Sequence, residues 1–216
     1  MMPRTASDTD SDPVMPLGRR ARKAQAARQA LFAAGLAAFD RQPIGMVSVL
    51  DITEAADVAK GVFYLHFDSK DEYLLSLLAE THRRLLDGAA RQAAEARSER
   101  ARREAVIRSI RAFAVEHADA TRFLLRMGSY LPDDVGRPGQ LAGARDEYRA
   151  RLASILAGRE GDAAATCRAE KAAGMLDAAC WGLIGAAMRH GEPVGPEDLF
   201  VRAASGMVRS AAESAG

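Results

Sequence analysis

Apolar residues recur every three or four positions through most of this chain, the period of amphipathic helices. Leu31, Phe32, Leu36 and Phe39 make the stripe of a first helix over about 20–41, which Pro43 and Gly45 end. Ser48 stands as N-cap of a short helix with Val49, Ile52 and Ala56 inside; its hydroxyl accepts an otherwise orphaned backbone N–H. After Asp57 and Val58 a second short helix runs from Lys60 to about Phe67. Ser69, with Glu72 three residues on, predicts the capping box of a long helix. Tyr73, Leu74, Leu77, Leu78, Thr81 and Leu85 continue it at helical spacing.

The same period predicts five more helices. Val106, Ile110, Phe113 and His117 line one near 99–117, and Phe123, Leu124 and Met127 one near 119–129. Ser129 to Gly139 reads as a loop. Leu141, Tyr148, Leu152 and Ile155 mark a helix near 139–157, before a break at Gly158, Gly161 and Asp162. Met175, Leu176, Ala179, Leu183 and Ala187 lie on a long helix near 164–190. Phe200, Ala204, Met207, Val208 and Ala211 mark the last, near 196–213. Residues 1–18, rich in Ser, Asp and Pro without a period, read as a disordered tail.

Composition agrees with an all-α fold. Aromatic residues are only 6% of the 216 positions, and alanine is abundant, which favours helices packed through small side chains over a β-sandwich. The net charge of +1 excludes a protein held on nucleic acid by bulk charge, but leaves room for a local basic face such as Arg19, Arg20, Arg22 and Lys23. Cys167 and Cys180, without CxxC or metal-ligand spacing, are expected to be buried thiols. No apolar run reaches membrane-spanning length, and the N-terminus lacks the apolar core of a signal peptide, so a cytoplasmic protein is expected. No catalytic nucleophile with its base, paired carboxylates, phosphate loop, metal cluster or cofactor motif is found, so no catalytic, metal or cofactor-binding residue is assigned.

A helix, two short helices and a capped long helix have the spacing of a helix-turn-helix over about 47–66. The segment VSVLDITEAADVAKGVFYLHF at 47–67, followed by DSK, resembles the DNA-binding signature of TetR-type (TetR/AcrR-like) transcriptional regulators. The resemblance covers roughly 22–74, with Phe39 matching the aromatic anchor of the first helix. It implies a DNA-binding domain over 19–74 and an effector-binding, dimerising helical bundle over 75–216.

Lys60, Gly61 and Val62 open the recognition helix, where short side chains allow close approach to base edges. By resemblance Ser48 contacts a phosphate, and Tyr64, His66 and Lys70 form a phosphate clamp that sets register without reading sequence. Arg22 is a candidate for an arm reaching adjacent phosphates. Phe63 and Phe67 should point inward. The chain departs from the pattern at Ala59, where Ser or Thr usually caps; at Asp57, where the turn usually has glycine; and at Val62, whose methyls replace a hydroxyl and suit a thymine methyl.

In the second half, His117, Arg122, Phe123, Arg126, Met127, Tyr148 and Trp181, with Tyr130, are candidates for an effector pocket holding a mostly apolar molecule with one or two polar groups. Ala178, Gly182, Gly185, Ala204 and Met207 on the last two helices are candidates for a homodimer interface, a four-helix bundle. Each set competes with ordinary core packing. The implied function is ligand-responsive transcriptional regulation by a homodimer on a palindromic double-stranded DNA operator, a repressor released by a small molecule. The rivals are an α-helical small-molecule binding protein or enzyme without DNA binding, and an activator with the same module.

Overall fold

The computed structural model describes residues 18–129, 138–158 and 163–214, and every regular element among them is helical. They run α1 (Arg19–Arg41), a single 3-10 turn (Ile44–Met46), α2 (Val49–Ala55), α3 (Lys60–Tyr64) and α4 (Lys70–Ala94). Then come α5 (Glu99–Glu116), α6 (Ala118–Ser129), α7 (Pro138–Ala157), α8 (Ala163–Arg189) and α9 (Glu197–Ser214). The tail at 1–17, most of the expected 129–139 loop including Tyr130, and the break at Gly161 and Asp162 lie outside the described residues.

The N-terminal helices close around aromatic side chains. Phe63, Phe67 and Tyr73 are buried, with the Tyr73 ring 5.3 Å from Phe63 and 5.0 Å, edge-on, from Phe67. Phe32 adds a third partner from α1 at 5.8 Å. Contacts at these separations are favourable beyond the area they bury. The inward expectation for Phe63 and Phe67 therefore holds. The Tyr73 hydroxyl donates to the Leu31 carbonyl oxygen at 2.8 Å, so α4 is bonded directly to the backbone of α1. Gly35 makes that approach possible: a Cβ there would collide with the Tyr73 hydroxyl.

α1 also joins the two halves of the molecule. Phe39 stacks on Phe123 of α6, centroids 5.7 Å apart. The Arg122 guanidinium pairs with both carboxylate oxygens of Asp40. Arg126 donates to the Gln42 and Asp40 carbonyl oxygens at 3.1 and 3.3 Å. These cations sit where α1 ends, against the negative end of its dipole.

Farther on, α7 and α8 pack as an antiparallel pair, with α9 against α8 and α5. Ala169, Ala173, Leu176, Cys180 and Ile184 form the buried stripe of α8. Cys167 falls off that stripe and is exposed, so the expectation of two buried thiols holds for Cys180 alone. Gly158 ends α7 with φ +75°, and Arg102 of α5 takes the last α7 carbonyl oxygens, Leu156 and Ala157, at 3.0 and 3.1 Å. A left-handed residue with a cation on the final carbonyls is a common way to stop a helix.

Gly35→Ala should lower unfolding stability by about 1–3 kcal/mol despite better helix propensity, because the added methyl displaces the Tyr73 hydroxyl. Tyr73→Phe alone should cost about 1 kcal/mol for the lost hydrogen bond. Combined, the two should cost less than their sum, since removing the hydroxyl relieves part of the clash. Chemical denaturation of the four proteins measures this coupling; strict additivity would contradict the close approach.

Candidate nucleic-acid interface and adjoining cavity

α2 starts at a complete capping box. The Ser48 hydroxyl accepts from the Asp51 N–H at 3.1 Å, and the Asp51 carboxylate accepts from the Ser48 N–H at 2.7 Å. That hydrogen bonding holds the exposed Asp51 carboxyl below its usual range. Ser48 is thus the expected cap, but its N–H is already used internally. Asp51, three residues after Ser48, is the second half of the box. At Ser69 the box is incomplete: its hydroxyl accepts from the Glu72 N–H, while the Glu72 carboxylate reaches the Asp68 N–H instead.

The turn from α2 to α3 is a Schellman motif. Asp57 adopts φ +53°, its N–H donates to the Glu54 carbonyl oxygen, and the Val58 N–H reaches that of Thr53 at 3.0 Å. Glycine is the usual residue at the left-handed position, so aspartate carries strain there.

α3 is shorter than expected, ending at Tyr64 rather than near Phe67. Ala59 supplies no side-chain cap. Past Tyr64 the N–H groups of His66 and Phe67 both fold back onto the Phe63 carbonyl oxygen, at 2.9 and 3.0 Å. This tightening swings Phe67 into the core. Lys60 and Gly61 are exposed at the start of α3, Val62 is half-buried, and a side chain at Gly61 would meet open space. Tyr64 is half exposed, with its ring edge on Phe63. His66 is half-buried beside Phe67. Arg22 is exposed on the first turn of α1. Lys70 does something sequence did not announce. Its ammonium donates to the Ile44 carbonyl oxygen at 2.7 Å, tying the 3-10 turn to α4. Burial lowers its pKa, against Asp71 and Asp51, which raise it.

Residues 21–77 match the family model described as bacterial regulatory proteins, tetR family. Residues 21–77 therefore carry the helix-turn-helix, DNA-binding module of the TetR family. Solved structures share the fold over nearly the whole chain. The fatty acid degradation regulator FadR from Bacillus halodurans is 16% identical with a TM-score of 0.69, covering 84% of this chain and 94% of its own. A putative transcriptional regulator from Pseudomonas aeruginosa PAO1 is 20% identical with a TM-score of 0.67, covering 90% and 92%. FadR from Bacillus subtilis, solved in complex with stearoyl-CoA, is 15% identical with a TM-score of 0.65, covering 84% and 95%. No curated protein matches the chain in sequence.

Beyond the TetR module, α4, α6, α7 and α8 enclose a cavity of about 370 Å³. Of the expected pocket residues, Met127, Tyr148 and Trp181 line it. The others lie elsewhere. Phe123 is core, stacked on Phe39, and Arg122 and Arg126 clamp the end of α1. His117 is exposed as the C-cap of α5 and borders a separate hollow with Gln29, Phe32 and Glu80. His82, Arg145, Arg149 and Asp177 line the cavity and were not singled out as pocket residues. Their charged and polar ends meet only once the helices pack. His82 stacks on Tyr148 at 4.4 Å. Burial, helped by Arg145, pushes its imidazole down to about 4.

Among the described residues no helix is long and apolar enough to cross a membrane, and no group of three or more His, Cys, Asp or Glu is placed to hold a metal ion.

His82 generates a pH prediction. Its unfolded value is about 6.5, so as pH falls the unfolded chain takes up this proton first. Stability should be full above about pH 6.5 and decline toward about pH 4, with a slope of at most about 1.4 kcal/mol per pH unit from this group. Urea unfolding of wild type and His82→Gln across that range checks it. The variant should show a shallower decline, and an identical decline would contradict the buried neutral imidazole.

Proposed function

We propose that the protein is a ligand-responsive repressor that binds a palindromic operator as a homodimer and leaves it when a small molecule fills the cavity. Residues 19–74 would carry DNA binding, and 75–216 effector binding and dimerisation. The observation that supports this best is the double duty of α6. Leu124 and Met127 line the cavity, while Arg122 and Arg126 on the same helix hold the end of α1. A ligand that shifts α6 pulls on the DNA-binding domain, and operator affinity falls by the difference in its affinity for the two arrangements. The stearoyl-CoA bound to FadR of Bacillus subtilis supports a small-molecule role for this architecture. Such a regulator works in the cytoplasm, beside its DNA.

In this reading Lys60, Gly61 and Val62 face base edges, and Ser48, Tyr64, His66 and Arg22 face phosphates. Lys70 acts mainly by holding the 3-10 turn in register. The dimer face comprises the exposed Ala178 and Gly182 of α8 with Leu199 and Met207 of α9. Gly185 and Ala204 leave that set. Gly185 is buried against Leu125, and Ala204 is fully buried on the inner stripe of α9 with Phe200 and Val208. Small residues serve close packing within a subunit as readily as between subunits.

Selection of bound sequences from random DNA should return a palindrome with half-sites about one helical turn apart. Arg22→Ala, which removes a phosphate contact, should weaken binding and lower the salt slope by about one contact. Gly182→Glu, at an open position, should give a folded monomer in sedimentation with operator binding lost. No enriched palindrome, or a dimer that survives Gly182→Glu, would overturn the corresponding part of the proposal.

A further inference from the structure

The cavity carries more positive charge than it balances. Arg145 and Arg149 line it, and among the described residues Asp177 is the one acid in its lining. That carboxyl is engaged by its neighbours. It interacts with the Tyr148 hydroxyl and the Trp181 indole, and Arg149 approaches it to 3.7 Å. Its Oδ1 is buried, and burial raises its pKa against those contacts, which lower it.

Arg145 has no acidic partner among the described residues. Its Nη2 donates to the Met127 and Gly128 carbonyl oxygens, at 3.2 and 2.8 Å, which anchors the guanidinium at the end of α6. No described residue accepts from its Nε or Nη1, so these N–H groups can donate to an anion. The charge acts across the cavity: after burial, Arg145 is the second cause that holds His82 down to about 4. An unbalanced charge in a shielded site is unfavourable, and a bound anion offsets it. Leu78, Leu124, Leu125 and Met127, with the Trp181 indole, supply an apolar wall. At about 370 Å³ the cavity lies near the small end of ligand sites, which span roughly 300–1,000 Å³. It suits a short chain or a compact ring rather than a long tail.

We infer that the cavity takes a small apolar carboxylic acid as its anion, with the carboxylate on Arg145, Arg149 at the rim and the hydrocarbon body against the apolar wall. This deepens the reading of the cavity as the effector site and rests on it. A protonated amine would meet Arg145 as a like charge, and an alcohol would leave that charge unbalanced.

The test uses the full chain at neutral pH with octanoate, octanol and octylamine, molecules of matched length that differ in head group, and with octanoyl-CoA, whose charges lie far along a bulky tail. Fluorescence of Trp181, the single tryptophan, and calorimetry read binding. Octanoate should bind at least about tenfold more tightly than the other three, as expected of a charge-assisted hydrogen bond in a shielded site. Arg145→Gln should bring octanoate down to the octanol level and leave octanol unchanged, and Arg145→Lys should keep part of the preference. Arg149→Gln, at an exposed position, should weaken octanoate less than Arg145→Gln does. In the wild type, NMR titration of His82 adds a second readout: bound octanoate offsets Arg145, so His82 should protonate at higher pH with octanoate than with octanol. Octanol, octylamine or octanoyl-CoA binding as tightly as octanoate, no saturable octanoate binding, or an unchanged preference in Arg145→Gln would overturn the inference. If circular dichroism shows Arg145→Gln unfolded, the wild-type ranking and the His82 titration decide; His82 titrating alike with octanoate and octanol counts against it. Adding selected operator DNA separates the two readings. Octanoate that binds without releasing DNA overturns the regulator reading and leaves the ligand class intact. DNA released by octanol or octylamine but not by octanoate does the reverse.

Discussion

Everything the N-terminal domain does depends on one buried ring. Tyr73 stands at the start of α4, touches Phe63 and Phe67 around α3, packs beside Phe32 and Phe39 of α1, and bonds the Leu31 carbonyl oxygen. α3 has little else to hold it. It is five residues long and lacks a side-chain cap, far below the length at which a helix persists alone. Its order must come from tertiary contacts. Arg28 covers the outer side of this cluster, its guanidinium 5.3 Å from the Phe32 ring and 5.4 Å from that of Phe67.

The same helix that carries Tyr73 continues into the second domain. Leu78 and His82, one and two turns farther along α4, line the cavity. α6 provides a second connection through Arg122, Arg126 and Phe123. α1 is therefore fastened twice, by an aromatic cluster near its middle and a guanidinium clamp at its C-terminus. α4 and α6 thus each touch both α1 and the cavity.

How much of this could be read from the chain follows from the range of each interaction. Ser48 and Ser69 were legible as caps because a cap is a local arrangement of a few residues. Phe63 and Phe67 are legible as core through the resemblance of 47–67 to the TetR-type signature, whose aromatic positions point inward. The end of α3 was not, because it is set by the need to bring Phe67 inward, which competes with helical continuation. Arg122 and Arg126 read from sequence as pocket anchors; their partners, Asp40 and Gln42, lie some eighty positions away, and no spacing rule connects them. Asp177 and His82 are an α8 and an α4 residue whose meeting with Tyr148 depends on how three helices pack. Gly185 and Ala204 suit a dimer face by size but are buried within the subunit, because a small side chain marks close packing without saying which partner it packs against.

The aromatic cluster, and not α3 itself, orders the exposed start of the second helix of the helix-turn-helix. Native-state hydrogen exchange of the backbone amides from Phe63 to Phe67 tests it most directly. These amides should open together with the Tyr73 end of α4 and the Leu31 region of α1, at one shared free energy, and Tyr73→Leu should lower all three in step. Amides of α3 that exchange freely while α1 and α4 stay protected would contradict it.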